Sequence, residues 1–282
     1  MKNVDKNILL CPSCKTESLI FENKQIICTH CKQNFELINN KMVFLKLNKS
    51  NITDFFDKIK FRLKKFSYLY ELLIKLISPV CPTMNIKKLV KRYVNNDEII
   101  AINLGSGNSR LSDKILNIDI FLYDNVDIVC DIENLPFKEN SIDIVFNIAV
   151  LEHVKNPEKV VNEINRVLKK NGIIISFFPF IQAFHASPYD FSRRTNEGMK
   201  VLYKDFDIID LKPAGGPTSG FLWIFQEWVS ILFSFSIKPL YYFINILLMI
   251  LTFPIKFLDF ILIHHPLAKN ISSGFLFIGK KR

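Results

Sequence analysis

The most apolar region of this 282-residue chain, residues 221–263, contains no uncharged run longer than residues 239–255. Seventeen residues reach only the lower edge of a membrane span. The N-terminal residues MKNVDKNILLC offer only residues 8–10 as an apolar run, so no signal peptide is expected and the location expected is cytoplasmic. No lysine of the phosphate-loop type follows the glycine turn NLGSGNSR, which argues against a nucleoside triphosphate. That turn has Gly105 and Gly107 but Arg110 at the third position of GxGxxG, and the next strand-end acid, Asp119, comes too early for a full dinucleotide helix. Acids are outnumbered, 27 against 37 Lys and Arg, leaving a formal charge of +10. Such a surface can meet nucleic acid, anionic lipid or water. The 26 phenylalanines, many of them outside the central region, turn the expectation from nucleic acid toward a greasy partner.

The central region reads IIAINLGSG, ILNIDI, VDIVCDIENLPF, SIDIVFNIAVLEHV, then NPEKVVNEINRVLKKNGIIISFF. Short apolar runs alternate with turn residues and one long helical pattern, which predicts a parallel α/β sheet. Ligands of such sheets bind beyond the carboxyl ends of the strands, where Gly105, Asp119 and Asp131 fall. Glycine lets backbone approach a ligand closely, and an acid ending the second strand suits a ribose diol. In the helical segment, Asn156 is expected to cap and Pro157 to take the first position, with the helix running through Lys170.

These residues resemble the class I S-adenosylmethionine-dependent methyltransferases, of the type 11 kind, over roughly residues 98–212 and a last strand at 273–281. The resemblance implies a Rossmann-like seven-stranded sheet with helices on both faces. It implies cofactor contacts from Asn103, Gly105, Ser106, Gly107, Asp119, Ile120, Asp131, Ile132 and Asn147, with Asp119 on the ribose and Asp131 on the adenine. Asn103 stands where the family usually has an acid, and Ser109 where it often has a third glycine.

Cys11, Cys14, Cys28 and Cys31 form C-x2-C-x13-C-x2-C, a spacing that suits four thiolates around a structural zinc ion. Paired disulfides are the alternative, disfavoured in a cytoplasmic chain. Strands are expected at 19–21, 25–27 and 41–44, and the unit is similar to the short zinc ribbon found ahead of some methyltransferases. Residues 54–77 carry a helical apolar stripe flanked by Lys58, Arg62, Lys64 and Lys65, consistent with either a packed helix or one lying on lipid. Residues 221–263 fall between the expected sixth strand, FDIIDLKP, and the seventh, GFLFIGKKR. In the resembled fold those strands are neighbours, so the insertion must leave and return on one side of any membrane. Interfacial or re-entrant helices are expected, with Trp223, Trp228, Tyr241 and Tyr242 at headgroup depth and Glu227, Lys256 and Asp259 costly in hydrocarbon.

After the fifth strand comes PFIQAFHASPYDFSRRTNEGMKVLY, where the resembled fold forms its acceptor pocket. This run is similar to one in methyltransferases encoded among surface-polysaccharide genes. His185 is the first candidate base, Asp190 the second and His153 the third, and Tyr189, Arg193 and Arg194 add polar and anion-binding groups. The expected organisation is a zinc ribbon (1–48), a basic helical linker (49–96), the methyltransferase domain (97–220 and 271–282) and a membrane-associating insertion (221–270). The expected reaction is O-methylation of a sugar hydroxyl on a lipid-linked or cell-envelope glycan precursor at the cytosolic membrane face. Methylation of an isoprenoid quinone or other lipid, RNA methylation, and a cofactor-binding scaffold without turnover are the alternatives.

Overall fold

The computed structural model describes residues 4–45, 78–81, 83–186 and 188–282; the stripe at 54–77 lies outside them. Buried strands of Val, Ile and Leu build the centre: β5 (Ala101–Leu104), β6 (Ile115–Asp119), β7 (Ile128–Val129), β8 (Ile142–Ile148) and β9 (Leu168–Pro179). Nearly every residue of these strands is buried, as expected of a parallel sheet covered on both faces. The last two strands, β10 (Phe206–Gly215) and β11 (Gly274–Lys281), pair antiparallel, and β11 also runs antiparallel to β9. The central order is β7-β6-β5-β8-β9-β11-β10. Alternation along β11 sends Phe275 and Phe277 into one core layer and Leu276 and Ile278 into the other. Helix α1 (Ile86–Tyr93) places Val90 in the second layer. On the first layer lies α2 (Pro157–Val167), which buries Val160, Val161, Ile164 and Val167.

Two local expectations need correction. The helix stops at Val167 rather than Lys170, because Leu168 already takes extended backbone and starts β9. Asn156 occupies the N-cap position, but its side chain makes no capping hydrogen bond, leaving Pro157 as the start signal.

The N-terminal segment contributes β1 (Leu19–Phe21), β2 (Gln25–Cys28), β3 (Asn34–Ile38) and β4 (Lys41–Val43). Of these, β3 was not anticipated from the sequence, where Asn34 and Glu36 dilute the apolar pattern. The four strands form an antiparallel meander whose last member pairs parallel with β7, Met42 opposite Ile128 and Val43 opposite Val129. The sheet therefore has eleven strands, four more than the expected seven.

The link from β5 to β6 contains no helix, short for a parallel crossover, which usually needs a dozen or more residues. Polar bonds hold it instead. Arg110 forks onto Asp127 at 2.9 and 3.1 Å and reaches the Asn125 carbonyl at 2.9 Å. Asn125 in turn donates to the Asn108 carbonyl at 2.6 Å, and Asn117 to that of Ser109 at 3.1 Å. Arg110, at the missing third glycine position, is thus a brace.

Between β10 and β11 the chain is helical. Helix α3 (Asn196–Leu202) precedes β10; α4 (Pro217–Ser234) and α5 (Lys238–Thr252) follow it as a hairpin, continued by a 3-10 run (Phe253–Leu258) and α6 (Asp259–Leu262). Residues Lys238–Leu262 make one helical run long and apolar enough to cross a membrane by length and composition. The hairpin's polarity is inverted. Gln226, Ser230, Asn245 and Thr252 are buried between the helices, joined by Gln226 to Thr252 at 2.7 Å and Asn245 to Ser230 at 3.3 Å. Trp228, Ile231, Phe243 and Leu251 face outward.

Replacing Arg110 with Ala would leave the buried Asp127 carboxylate without its counter-charge. Urea unfolding of R110A is expected to show a loss of roughly 3 kcal/mol, the scale for breaking a buried pair.

Candidate active site and metal centre

At the carboxyl end of β5 the chain must turn sharply, and Gly105 and Gly107 take positive φ, 62° and 55°. A Cβ on Gly105 would sit 2.5 Å from both methyl carbons of Val150, so the turn is pressed against the exit of β8. A Cβ on Gly107 would meet nothing within 4 Å. The turn is therefore closed on one side by protein and open on the other, a shape that fits a bound nucleoside. Asp119 ends β6, largely buried, and accepts from the Gly107 amide at 2.8 Å and the Phe121 amide at 2.9 Å. Burial pushes its carboxyl above the usual range against those bonds. Asp131 is exposed beyond β7 and accepts from the Glu133 amide at 2.8 Å. Ile120 is exposed, Ile132 half-buried and Ser106 buried in the turn. Two expected contacts lie deeper. Asn103 is buried and donates to Asn117 at 3.1 Å. Asn147 is fully buried beside Ser176, which Tyr203 also reaches at 2.7 Å.

The four ribbon cysteines converge. Their sulfurs all lie within 4.8 Å of one another, Cys11 to Cys31 at 3.7 Å and Cys14 to Cys28 at 3.5 Å. Ligands about 2.3 Å from a tetrahedral zinc ion would be about 3.8 Å apart, so the donor set fits that ion. The same separations are far beyond the ~2 Å of a sulfur–sulfur bond. The Thr16 hydroxyl beside Cys14 draws its thiol down to about 5, while burial pushes Cys11 up to about 12. The unit is bonded to the loop after β7. Leu10 donates to the Pro136 carbonyl at 3.1 Å, Lys138 to that of Ile8 at 2.8 Å and Asn134 to that of Pro12 at 2.7 Å. Lys15 pairs with Glu163 at 3.1 Å.

The acceptor-side candidates meet at the exit of β8. Ala149 takes a positive φ of 56°, and the next residues form a 3-10 turn, Leu151–His153. His153 and His185 stand edge to face, ring centroids 5.4 Å apart, and His185 lies 5.2 Å from the ring of Trp223 on α4. Burial lowers the His185 pKa, favouring neutral imidazole. Asp190 accepts from the His185 amide at 2.8 Å and is gripped by both terminal nitrogens of Arg193. Burial works the other way, yet these donors hold its carboxyl below the usual range. That leaves Asp190 suited to positioning His185 rather than to taking a proton, and Arg193 with its fork committed. Arg194 bonds Glu158, and Tyr189 is exposed while its carbonyl faces His153.

Sequence reasoning missed Glu152. It is completely buried, and neither carboxylate oxygen has a hydrogen-bond partner among the described residues. Burial raises its carboxyl to about 7. Its only signal in the sequence was adjacency to His153 in LEHV.

Residues 84–176 match a methyltransferase domain family, Methyltransf_11. Two uncharacterized proteins of Methanocaldococcus jannaschii are similar: MJ0638, 30% identical over 43% of this chain and 63% of its own length, and MJ1123, 32% identical over 28% and 37%. The chain thus spans less than two thirds of either. Among solved structures, a complex of the Haloferax volcanii Trm112 methyltransferase activator with a methyltransferase aligns at TM-score 0.45 and 13% identity, over 80% of this chain and 95% of that one. Phosphoethanolamine N-methyltransferase 2 of Haemonchus contortus aligns at TM-score 0.43 and 14% identity, over 79% and 59%. The matched segment contains the glycine turn, Asp119 and Asp131.

Stripping metal from the cysteine cluster with a chelator is expected to lower the melting temperature. It should also weaken S-adenosylhomocysteine binding, because the ribbon holds the 131–137 loop through Leu10 and Pro12. Calorimetry before and after zinc is restored checks both effects.

Proposed function

We propose that this chain methylates a sugar hydroxyl of a lipid-linked or cell-envelope glycan precursor, using S-adenosylmethionine, at the cytosolic face of the membrane. The observation that carries the reading is the contact of His185 with Trp223. It joins the acceptor-side cluster to a hairpin whose polar residues face inward and whose apolar residues face out. Such inversion suits helices surrounded by lipid tails, where packing and internal hydrogen bonds hold them together. The hairpin would enter and leave the cytosolic leaflet on the same side, as its place between two neighbouring strands requires.

The charged residues of the insertion agree with a shallow insertion. Asp259 accepts from the Thr218 and Ser219 amides at 2.7 and 2.8 Å, and the Lys256 ammonium donates to the Ser78 carbonyl at 2.7 Å. Asp259 thus meets the first turn of α4, and Lys256 the segment that precedes α1. Glu227 is met by the Tyr241 hydroxyl.

Bound at the glycine turn, S-adenosylmethionine supplies the methyl group. Asp119 would take the ribose hydroxyls and Asp131 the adenine amine. The His153–His185 pair would receive the acceptor hydroxyl and help remove its proton, and alignment of the two substrates supplies much of the rate. Zinc in the ribbon is structural in this reading, fixing the sheet edge beside Asp131. The similarity of the HASPYDFSRRT run to methyltransferases of polysaccharide gene clusters favours the glycan over a quinone.

Detergent-purified protein is expected to bind S-adenosylhomocysteine with micromolar affinity, and D119A to lose that binding in calorimetric titration. Absence of binding by folded wild type would end the methyltransferase reading. Separately, wild type should float with anionic liposomes, whereas I231D/F243D should remain in the soluble fraction while still binding S-adenosylhomocysteine.

A further inference from the structure

We propose that Glu152, His153 and His185 form a second metal site, binding a divalent first-row transition ion of the zinc class beside the cofactor turn. The starting observation is Glu152. It is 0% exposed, lies two residues after Val150, the residue packed against the glycine turn at Gly105, and makes no side-chain hydrogen bond among the described residues. Buried carboxylates are ordinarily met by donors, and one left without them is costly. What faces this one is imidazole: the His153 Nε2 lies 3.7 Å from Glu152 Oε1.

Both imidazoles are oriented for ligation. The Nδ1 of His153 is 2.6 Å from the Tyr189 carbonyl, and the Nδ1 of His185 is 3.0 Å from the Ala183 carbonyl. In each ring the proton then sits on Nδ1 and is donated to backbone, so Nε2 is the nitrogen whose chemistry suits ligation. This is the arrangement that fixes tautomer and aim in metal-binding histidines. Arg193 Nη2, 3.2 Å from the His185 Nδ1, has the Ala183 carbonyl and Asp190 to accept its protons instead. One ligand atom from each of the three residues lies within 4.8 Å of the others. Ligands about 2.0–2.1 Å from an ion are at most roughly 4.2 Å apart, so a small rotation of the part-exposed imidazoles closes the site.

The donor set selects the ion. Two imidazoles and one carboxylate suit zinc or a neighbouring transition metal with an open position, whereas magnesium and calcium prefer oxygen alone. One carboxylate and two neutral imidazoles leave a net positive charge on a divalent centre. Its open position would take the hydroxyl oxygen of the acceptor and favour loss of that proton to water, the two imidazoles then acting as ligands in place of bases. The oxygen then bonds to the methyl carbon as the carbon–sulfur bond breaks, its electron pair remaining on sulfur. This catalytic consequence rests on the methyltransferase reading; binding of the ion does not.

The test is metal content of the full chain in detergent, stripped, reloaded with zinc and desalted. Wild type is expected to retain one more zinc ion per chain than E152Q and than H185A. Both variants should keep the cysteine-bound ion and S-adenosylhomocysteine binding. Cobalt loading separates the two centres, since only the cysteine site gives sulfur charge-transfer absorption; wild type should add weaker visible bands that E152Q lacks. E152Q removes a buried charge without changing side-chain volume, and H185A alters a part-exposed position, so one folded variant suffices. Equal zinc in wild type and a folded variant would overturn the site and leave Glu152 a protonated buried acid. Extra zinc in wild type without any S-adenosylhomocysteine binding would keep the site and overturn the methyltransferase reading instead.

Discussion

The contact of Gly105 with Val150 is the constraint on which both halves of the site depend. At Gly105 the backbone must turn through positive φ, and the methyl carbons of Val150 fill the place a side chain would occupy. The glycine turn and the exit of β8 are thereby set as one surface. Glu152 and His153 follow two and three residues after Val150, so the glycine turn and the Glu152–His153–His185 cluster share a border. Ala149, held at positive φ without being glycine, is the local strain that this arrangement requires. The nearness of Glu152 and His153 to the glycine turn is therefore a property of sheet geometry.

The ribbon acts on the same edge from the other side. An isolated three- or four-stranded unit this small cannot bury enough apolar surface to fold alone, and two features compensate. The cysteine cluster can hold a metal, and β4 extends the central sheet by pairing with β7. Hydrogen bonds between residues 8–12 and residues 134–138 then tie the ribbon to the segment that follows Asp131. A strand edge that would otherwise be open to other chains is covered, and the segment after β7 is braced at the same time.

What was readable in the sequence follows from what each feature depends on. Runs such as IIAINL and SIDIVFNI are apolar on both faces because parallel strands are covered on both, so local composition suffices to place them. The cysteine spacing is equally local. Glu152 was not readable, because its surroundings come from residues distant in sequence, such as Phe191, whose amide donates to the Glu152 carbonyl at 2.7 Å. The role of Asp190 was hidden for a similar reason, since its pairing with Arg193 looks in sequence like two separate functional groups. Strand β3 failed to show because a short meander carries little periodicity, and its pairing partners decide its conformation.

Polarity in the insertion was legible only in part. Its apolar content stood out, but content cannot distinguish a helix that hides its apolar face from one that presents it. Gln226, Ser230, Asn245 and Thr252 make the distinction, since they point at one another and leave the aromatic and aliphatic residues outside. In water that arrangement forfeits the burial of the very side chains whose transfer would stabilise a soluble fold, about 1.5–3 kcal/mol for each large one. In lipid the same arrangement would cost less, because the tails solvate the outer face while Gln226 bonds Thr252 and Asn245 bonds Ser230 inside. Lys256 and Asp259 mark where that environment would end. Asp259 is bonded to the first turn of α4 and Lys256 to Ser78, so depth would be limited to the part of the hairpin beyond them.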